Sequence, residues 1–304
     1  MINDPLKQIP IFSSIQEAVH SIFGENVFEE DKRAVFGGDI NDAIVIKLSN
    51  GEKIFIKKNS IQYANMFSCE ANGIAALAEA KCIGTPKIYG IIKDKALGVS
   101  GLMMEYLEAG QKKKDYWETF GEELALLHRA PVREDFSRQY GFTQDNYVGL
   151  TLQKNERKED WVTFFRDCRL KPQIAMADRL LDLPMKKQLS VLLDHLDHFL
   201  EEPNFVSVLH GDLWSGNVTV GPDGKGWLID PAVYYGHSET DLAMTQLFGG
   251  FPPSFYEAYH RVNPIDSSYK DRKKIYQLYH LLNHVNLFGP SYLWDVADIL
   301  KYLL

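Results

Sequence analysis

Apolar side chains recur at helical spacing over residues 15–23, and Ser13 or Ser14 is available to cap the first turn, so the spacing predicts a short leading helix. From Val35 the period changes. Residues 43–48 and 54–57 read as strands joined by the turn Ser49-Asn50-Gly51-Glu52, which predicts a hairpin. The helical period returns over residues 67–80 through Cys69, Ile74, Leu77 and Ala78, and Thr85-Pro86 then breaks it. Residues 85–92 read as a further strand and residues 102–106 as a short apolar one. This first part amounts to a small antiparallel sheet with one inserted helix. It ends near Glu108-Ala109-Gly110-Gln111, where we place a lobe boundary: residues 1–107 before it and 108–304 after it. Beyond that point helices dominate, at residues 116–128, 161–170, 186–200, 255–260 and 273–286, with strand-like pieces at 206–209 and 227–229. The expected fold class is α+β, with two lobes. No internal repeat or low-complexity segment interrupts it.

Composition narrows the options. The chain has 304 residues, 45% hydrophobic and 24% charged, enough to bury a sizeable core and to exclude disorder. A net charge of −8 argues against a nucleic-acid partner, which requires a basic stripe. The one basic run, Lys112-Lys113-Lys114, reads as a solvated loop. Cys69, Cys82 and Cys168 are far apart, without a C-x-x-C, and fit packing residues in a reducing compartment. Neither a leader-like apolar stretch in residues 1–10 nor a membrane-length apolar run is present, so the expected location is the cytoplasm. The sequon Asn217-Val218-Thr219 stands without any sign of secretion. Oligomeric state is not legible.

The sharpest chemical signal is His210-Gly211-Asp212-Leu213-Trp214-Ser215-Gly216-Asn217, followed by Trp227-Leu228-Ile229-Asp230-Pro231. Phosphoryl transfer asks a protein for positioning and for cations against developing charge, so few parts are needed, at defined spacing. Here Asp212 has the place of the group that orients an acceptor hydroxyl and takes its proton, and Asn217 follows five positions later. Asp230, after an Asp223-Gly224 turn and a short strand, offers a carboxylate for Mg²⁺, and Asn217 a second oxygen. Taken singly, these residues read as a turn, a cap and a strand end; their order and company favour chemistry.

A kinase also needs a cation on the nucleotide phosphates. Lys57 ends the second hairpin strand, and Glu70, thirteen residues on, is placed to pair with it. Lys58 points to the opposite strand face. Gly37 and Gly38 offer a loop whose backbone could cover phosphates, or a plain turn, since the full G-x-G-x-x-G is absent. Met103 to Leu107 reads as a hinge strand for adenine. His280 and His284 lie four apart on a helix without the glutamate of a zinc motif, and read as packing or polar-network residues.

These segments resemble the fructosamine-3-kinases, also called ketosamine-3-kinases, within the protein-kinase-like aminoglycoside phosphotransferases. The resemblance is carried by residues 209–217, by Ile229-Asp230-Pro231 running on to Asp241-Leu242-Ala243-Met244, and by Leu247-Phe248-Gly249-Gly250-Phe251-Pro252. It extends to Gly141-Phe142, Asn146-Tyr147-Val148-Gly149, residues 161–173 and residues 282–289, and so covers nearly the whole chain. It implies transfer of the ATP γ-phosphate to the 3-hydroxyl of a ketosamine, free or on a protein lysine, after which the adduct decomposes: a deglycation repair. It further implies Asp212 as base, Asn217 and Asp230 as magnesium ligands, Lys57 and Glu70 as the phosphate pair, and Glu105, Tyr106 and Leu107 as adenine contacts. Trp214 is read as lying against the sugar or as loop packing. The chain departs from the family pattern at Gly37-Gly38-Asp39-Ile40-Asn41, which lacks a cysteine some members carry, and at Thr151-Leu152-Gln153, which lacks a proline. The alternatives are a kinase of another small hydroxyl compound (an aminoglycoside, choline or a sugar) and a non-catalytic nucleotide-binding scaffold.

Overall fold

Residues 9–35 and 41–303 are described by a computed structural model. The possible phosphate loop at Gly37 and Gly38 lies outside the described residues. The first lobe is built on a six-stranded sheet in the order β1-β5-β6-β4-β3-β2. Its elements are β1 (Ile11–Phe12), α1 (Ile15–Phe23), β2 (Glu29–Val35), β3 (Asp42–Leu48), β4 (Lys53–Ser60), α2 (Ala64–Glu79), β5 (Ile88–Asp94) and β6 (Val99–Glu105). The two-residue period decides what each face meets. Ile44, Ile46, Leu48, Ile54 and Ile56 pack with Ala18 and Val19 of α1 on one side, while Leu102 and Met104 pack with Phe67 and Ala71 of α2 on the other. Ser14 caps α1, its Oγ accepting from Glu17 N at 3.1 Å.

The sheet is mixed rather than purely antiparallel, because β1 runs parallel to β5. Two residues are too few to show a period, and Ile91 N reaches Pro10 O at 2.9 Å. β2 was also not expected. Its Glu-Glu-Asp-Lys-Arg-Ala-Val run is exposed throughout, the charged edge strand that sheets use to discourage further pairing.

The second lobe holds α3 (Tyr116–Arg129), β7 (Asn146–Val148), β8 (Thr151–Gln153), α4 (Trp161–Phe164), α5 (Lys171–Ala177), α6 (Leu183–Asp194), β9 (Ser207–Leu209), β10 (Val218–Val220), β11 (Gly226–Leu228), β12 (Tyr234–Gly236), α7 (Glu239–Thr245), α8 (Pro253–Val262), α9 (Tyr269–Phe288) and α10 (Leu293–Leu303). Its core includes the fully buried Phe120, Trp161, Phe164, Tyr234, Phe255 and Tyr276. The helix expected over 161–170 continues to Ala177, with a π-helical stretch at Phe165–Leu170. Pro172 has no N–H to give the Cys168 carbonyl four residues back, and Arg169 Nη1 serves that carbonyl instead, at 3.1 Å. The short strands β7, β8, β10 and β12 and the helices α7 and α10 went unforeseen. Among the described residues no helix is long and apolar enough to cross a membrane.

Candidate active site

β9 delivers the chain into the loop that carries Asp212. Gly211 has φ +82, and a Cβ there would lie 2.0 Å from Ala232 O, so only glycine lets the loop pass against the segment after Asp230. Two buried side chains fix this turn. Asp241, on α7, accepts from His210 N at 2.7 Å and Gly211 N at 2.8 Å, and its Oδ2 lies 3.2 Å from His128 Nε2. The His210 ring donates through Nε2 to Ile229 O at 2.9 Å, leaving Nδ1 to accept from Asp212 N at 3.3 Å. Burial holds His210 below its ordinary pKa, which keeps the ring in the neutral form those two bonds require.

Asn217 ties the Asp212 loop to the segment just before Asp230. Its Nδ2 donates to Asp212 O at 2.8 Å and to Asp212 Oδ2 at 3.1 Å, while its backbone carbonyl accepts from Ile229 N at 3.1 Å. Asp230, next in the chain, sits at φ 56, a left-handed conformation costly for a residue with a side chain. Asp212, Asn217 and Asp230 thus line one cleft of about 640 Å³, together with Lys57, Glu70 and Trp214.

Lys57 projects from the α2 face of β4, with its Nζ 2.7 Å from Glu70 Oε1 and in contact with Asp230 Oδ1. Burial works against its charge, but the Glu70 and Asp230 carboxylates outweigh it and raise the pKa, so the ammonium is retained. Lys58, on the other face, lies 3.8 Å from Asp42. Asp212 has the opposite balance. Burial pushes its carboxyl up to about 7; the Asn217 hydrogen bond pulls down, and the charges of Asp230 and Asp241 add to the rise.

The donor set suits a hard cation. Asn217 spends its amide hydrogens on Asp212, which leaves Oδ1 as its available group, and Asp230 is a half-exposed carboxylate beside it. Oxygen ligands of this kind, completed by phosphate oxygens, are what Mg²⁺ takes.

At the far end of the cleft lie Glu105, Tyr106 and Leu107. Glu105 is occupied by Lys87: its N–H donates to Lys87 O at 2.8 Å and its carboxylate accepts from Lys87 N at 3.1 Å. The Tyr106 hydroxyl accepts from Arg33 Nη2 at 3.0 Å. Among the described residues the N–H groups of Tyr106 and Leu107 have no backbone partner. At the opposite mouth Trp214 is 38% exposed, edge-on to Phe248 at 6.3 Å. The His284 ring lies tilted between those of Phe248 and Phe288, at 4.7 and 5.4 Å, and His284 and Phe288 line the cleft.

Asp241, His128 and His210 had no assigned role in the sequence reading. The available signal was an acid set in the apolar run Leu242-Ala243-Met244, where a charge survives only with partners. His280, read as a packing or polar-network residue, lies with Nδ1 3.9 Å from Asp212 Oδ1.

The fructosamine kinase family model matches residues 11–304. A probable ketoamine kinase of Synechocystis is 37% identical over 308 residues, 99% of each chain. The chloroplastic protein-ribulosamine 3-kinase of Arabidopsis thaliana is 36% identical over 272 residues, 88% of this chain and 80% of that one. The crystal structure of a Haemophilus somnus protein described as a fructosamine-3-kinase superposes with a TM-score of 0.84 at 30% identity, over 96% of this chain and 97% of that one. With the matched region spanning both lobes and the whole polar cleft, the chain belongs to the fructosamine kinase family.

Proposed function

We propose that this chain transfers the γ-phosphate of ATP to the 3-hydroxyl of a ketosamine, a fructosamine or ribulosamine adduct of an amine or protein lysine, and so serves the repair of glycated amines. The observation that carries the reading is the convergence of Asp212, Asn217, Asp230 and Lys57 on one cleft. In this reading residues 1–107 hold the nucleotide and residues 108–304 the acceptor. Leu107 and Tyr106 receive the adenine, Lys57, steadied by Glu70, holds phosphate oxygens, and the glycines at 37 and 38 cover them. Asn217 and Asp230 hold Mg²⁺, which when bound neutralises charge on the transferring phosphates. Asp212 orients the acceptor hydroxyl and takes its proton as the oxygen bonds to the γ-phosphorus; the bond to the bridging oxygen breaks and ADP leaves. The three free cysteines suit a reducing compartment, and we place the protein in the cytoplasm.

ADP release on a panel of ribulosamines, fructosamines, free sugars, aminoglycosides and choline tests the acceptor. Ketosamines are expected to give the highest kcat/KM, and preference for an aminoglycoside or choline would overturn the assignment. Trp214 is assigned to the face of the sugar. Trp214→Ala is then expected to raise KM for the ketosamine about 2- to 10-fold with KM for ATP unchanged, since an aromatic face contributes about 0.5–1.5 kcal/mol beyond its area. An unchanged ketosamine KM would make it loop packing.

A further inference from the structure

Beside the cleft, next to Asp212, lies a buried polar atom that the chemistry above does not use. His280, midway along α9, is 4% exposed, and its Nδ1 has no hydrogen-bond partner among the described residues. A buried polar atom left unpaired is costly, so an orphan aimed at a reacting group calls for an account. The nearest carboxylate oxygen is Asp212 Oδ1, at 3.9 Å. That is beyond a direct hydrogen bond, which ends near about 3.2 Å, and short of the about 4.5 Å that two bonds through a bridging water would span. A shift of under about 1 Å closes that gap, and catalytic hydrogen bonds commonly tighten in the complex with substrate.

The surroundings fix what His280 can offer. Burial, with His284 and Arg169 working the same way and Asp241 against them, pushes its pKa down to about 3, so the ring is neutral. A neutral imidazole carries one N–H. The carbonyl of His280 is already engaged by His284 Nδ1 at 2.8 Å, and neighbouring Tyr279 is turned away, donating to Gln153 Oε1 at 2.7 Å. On the other side of the carboxylate, Asp212 Oδ2 is held by Asn217 Nδ2.

We propose that His280 is a positioning residue: in its Nδ1–H tautomer it donates to Asp212 Oδ1 once the acceptor is seated, so that Asn217 and His280 grip the two oxygens and leave one lone pair aimed at the hydroxyl. The inference rests on Asp212 being the group that receives the acceptor proton.

The test compares His280→Leu with His280→Asn, whose amide nitrogen falls near the position of Nδ1. His280→Leu is expected to lower kcat about 10- to 100-fold, the usual range for losing an orienting partner, with KM for ATP and for the ketosamine within about twofold of wild type. His280→Asn is expected to recover most of that loss. If the leucine variant does not fold, His280→Gln replaces it, because its longer side chain carries the amide to the Nε2 position and should fail as leucine does. Combined with Asp212→Asn, the leucine substitution should cost nothing further, since an aimed group is no longer there to aim. Full kcat in His280→Leu, equal losses in the asparagine and glutamine variants, or an undiminished effect in the Asp212→Asn background would each overturn the proposal. Full activity of Asp212→Asn by itself would instead remove the reading on which it rests.

Discussion

Asp212→Asn is expected to reduce kcat by about 10²–10⁴-fold, the range for removing a general base, with little change in KM for ATP. The amide keeps the shape of the carboxylate, and its oxygen can still accept from Asn217 Nδ2, which reaches Asp212 Oδ2 at 3.1 Å in the wild type. What changes is the other arm, which becomes an N–H₂ that donates to the acceptor hydroxyl instead of receiving its proton. Folding should not suffer. The Asp212 carboxyl stands at about 7, above its unfolded value, so the folded state binds more protons than the unfolded chain between about pH 4 and pH 7, and stability falls as pH rises through that window. Removing the acid removes that penalty, and the variant should melt at or above the wild-type temperature at pH 8. Because Asp212 must be ionised to receive a proton, wild-type kcat should rise with pH up to about 7 and then level off. The check is a pH–rate profile at saturating ATP with thermal melts beside it. A flat profile from pH 5.5 to 9, or an Asp212→Asn enzyme with wild-type kcat, contradicts the assignment.

What the sequence disclosed follows the range over which each feature is determined. Lys57 and Lys58 are adjacent, and the two-residue alternation of a strand was enough to separate the one that meets Glu70 from the one that meets Asp42. The spacing of Asp212 and Asn217 is likewise local, five residues along one loop, so its chemistry could be read before its shape. The charged strand β2 carries no alternation at all, because it lies on an edge where neither face is buried. In the π-helical stretch Arg169 Nη1 serves a carbonyl that Pro172 cannot, an arrangement that a 3.6-residue pattern does not encode. Hardest to read were the partners that meet across the fold. Asp241 reaches back 31 residues to His210, and His280 stands 68 positions beyond Asp212 on another element. No periodicity ties such positions together. Asp241 stood only within the run that carries the family resemblance, and His280 read as a packing or polar-network residue.

Asp241→Ala is expected to lower stability by about 3–5 kcal/mol, the largest effect foreseen for any single substitution away from the reacting atoms. The carboxylate is 1% exposed and serves three donors: the N–H groups of His210 and Gly211 and the His128 ring, whose Nδ1 meets the Tyr259 hydroxyl at 2.8 Å. Alanine strands all three in a site closed to water, and each buried donor left unpaired costs about 1–3 kcal/mol. Asparagine should be intermediate, because its oxygen can accept while its N–H₂ faces a donor. Burial works against the charge of Asp241, yet the His128 hydrogen bond, with His128, His210 and Gly211 adding to it, outweighs burial and holds the carboxyl below its ordinary value. A depressed carboxyl stabilises the fold fully above the unfolded pKa of about 3.9 and loses that contribution as pH falls through the folded value. The gap in melting temperature between wild type and Asp241→Ala should therefore be wide from pH 5 to 8 and narrow only below about pH 4. Because the same donors set the backbone of the loop ahead of Asp212, transfer should fail at temperatures where the variant is still largely folded. Equal melting of the two proteins at neutral pH, or a gap that widens on acidification, would show that the loop is held by something other than this carboxylate.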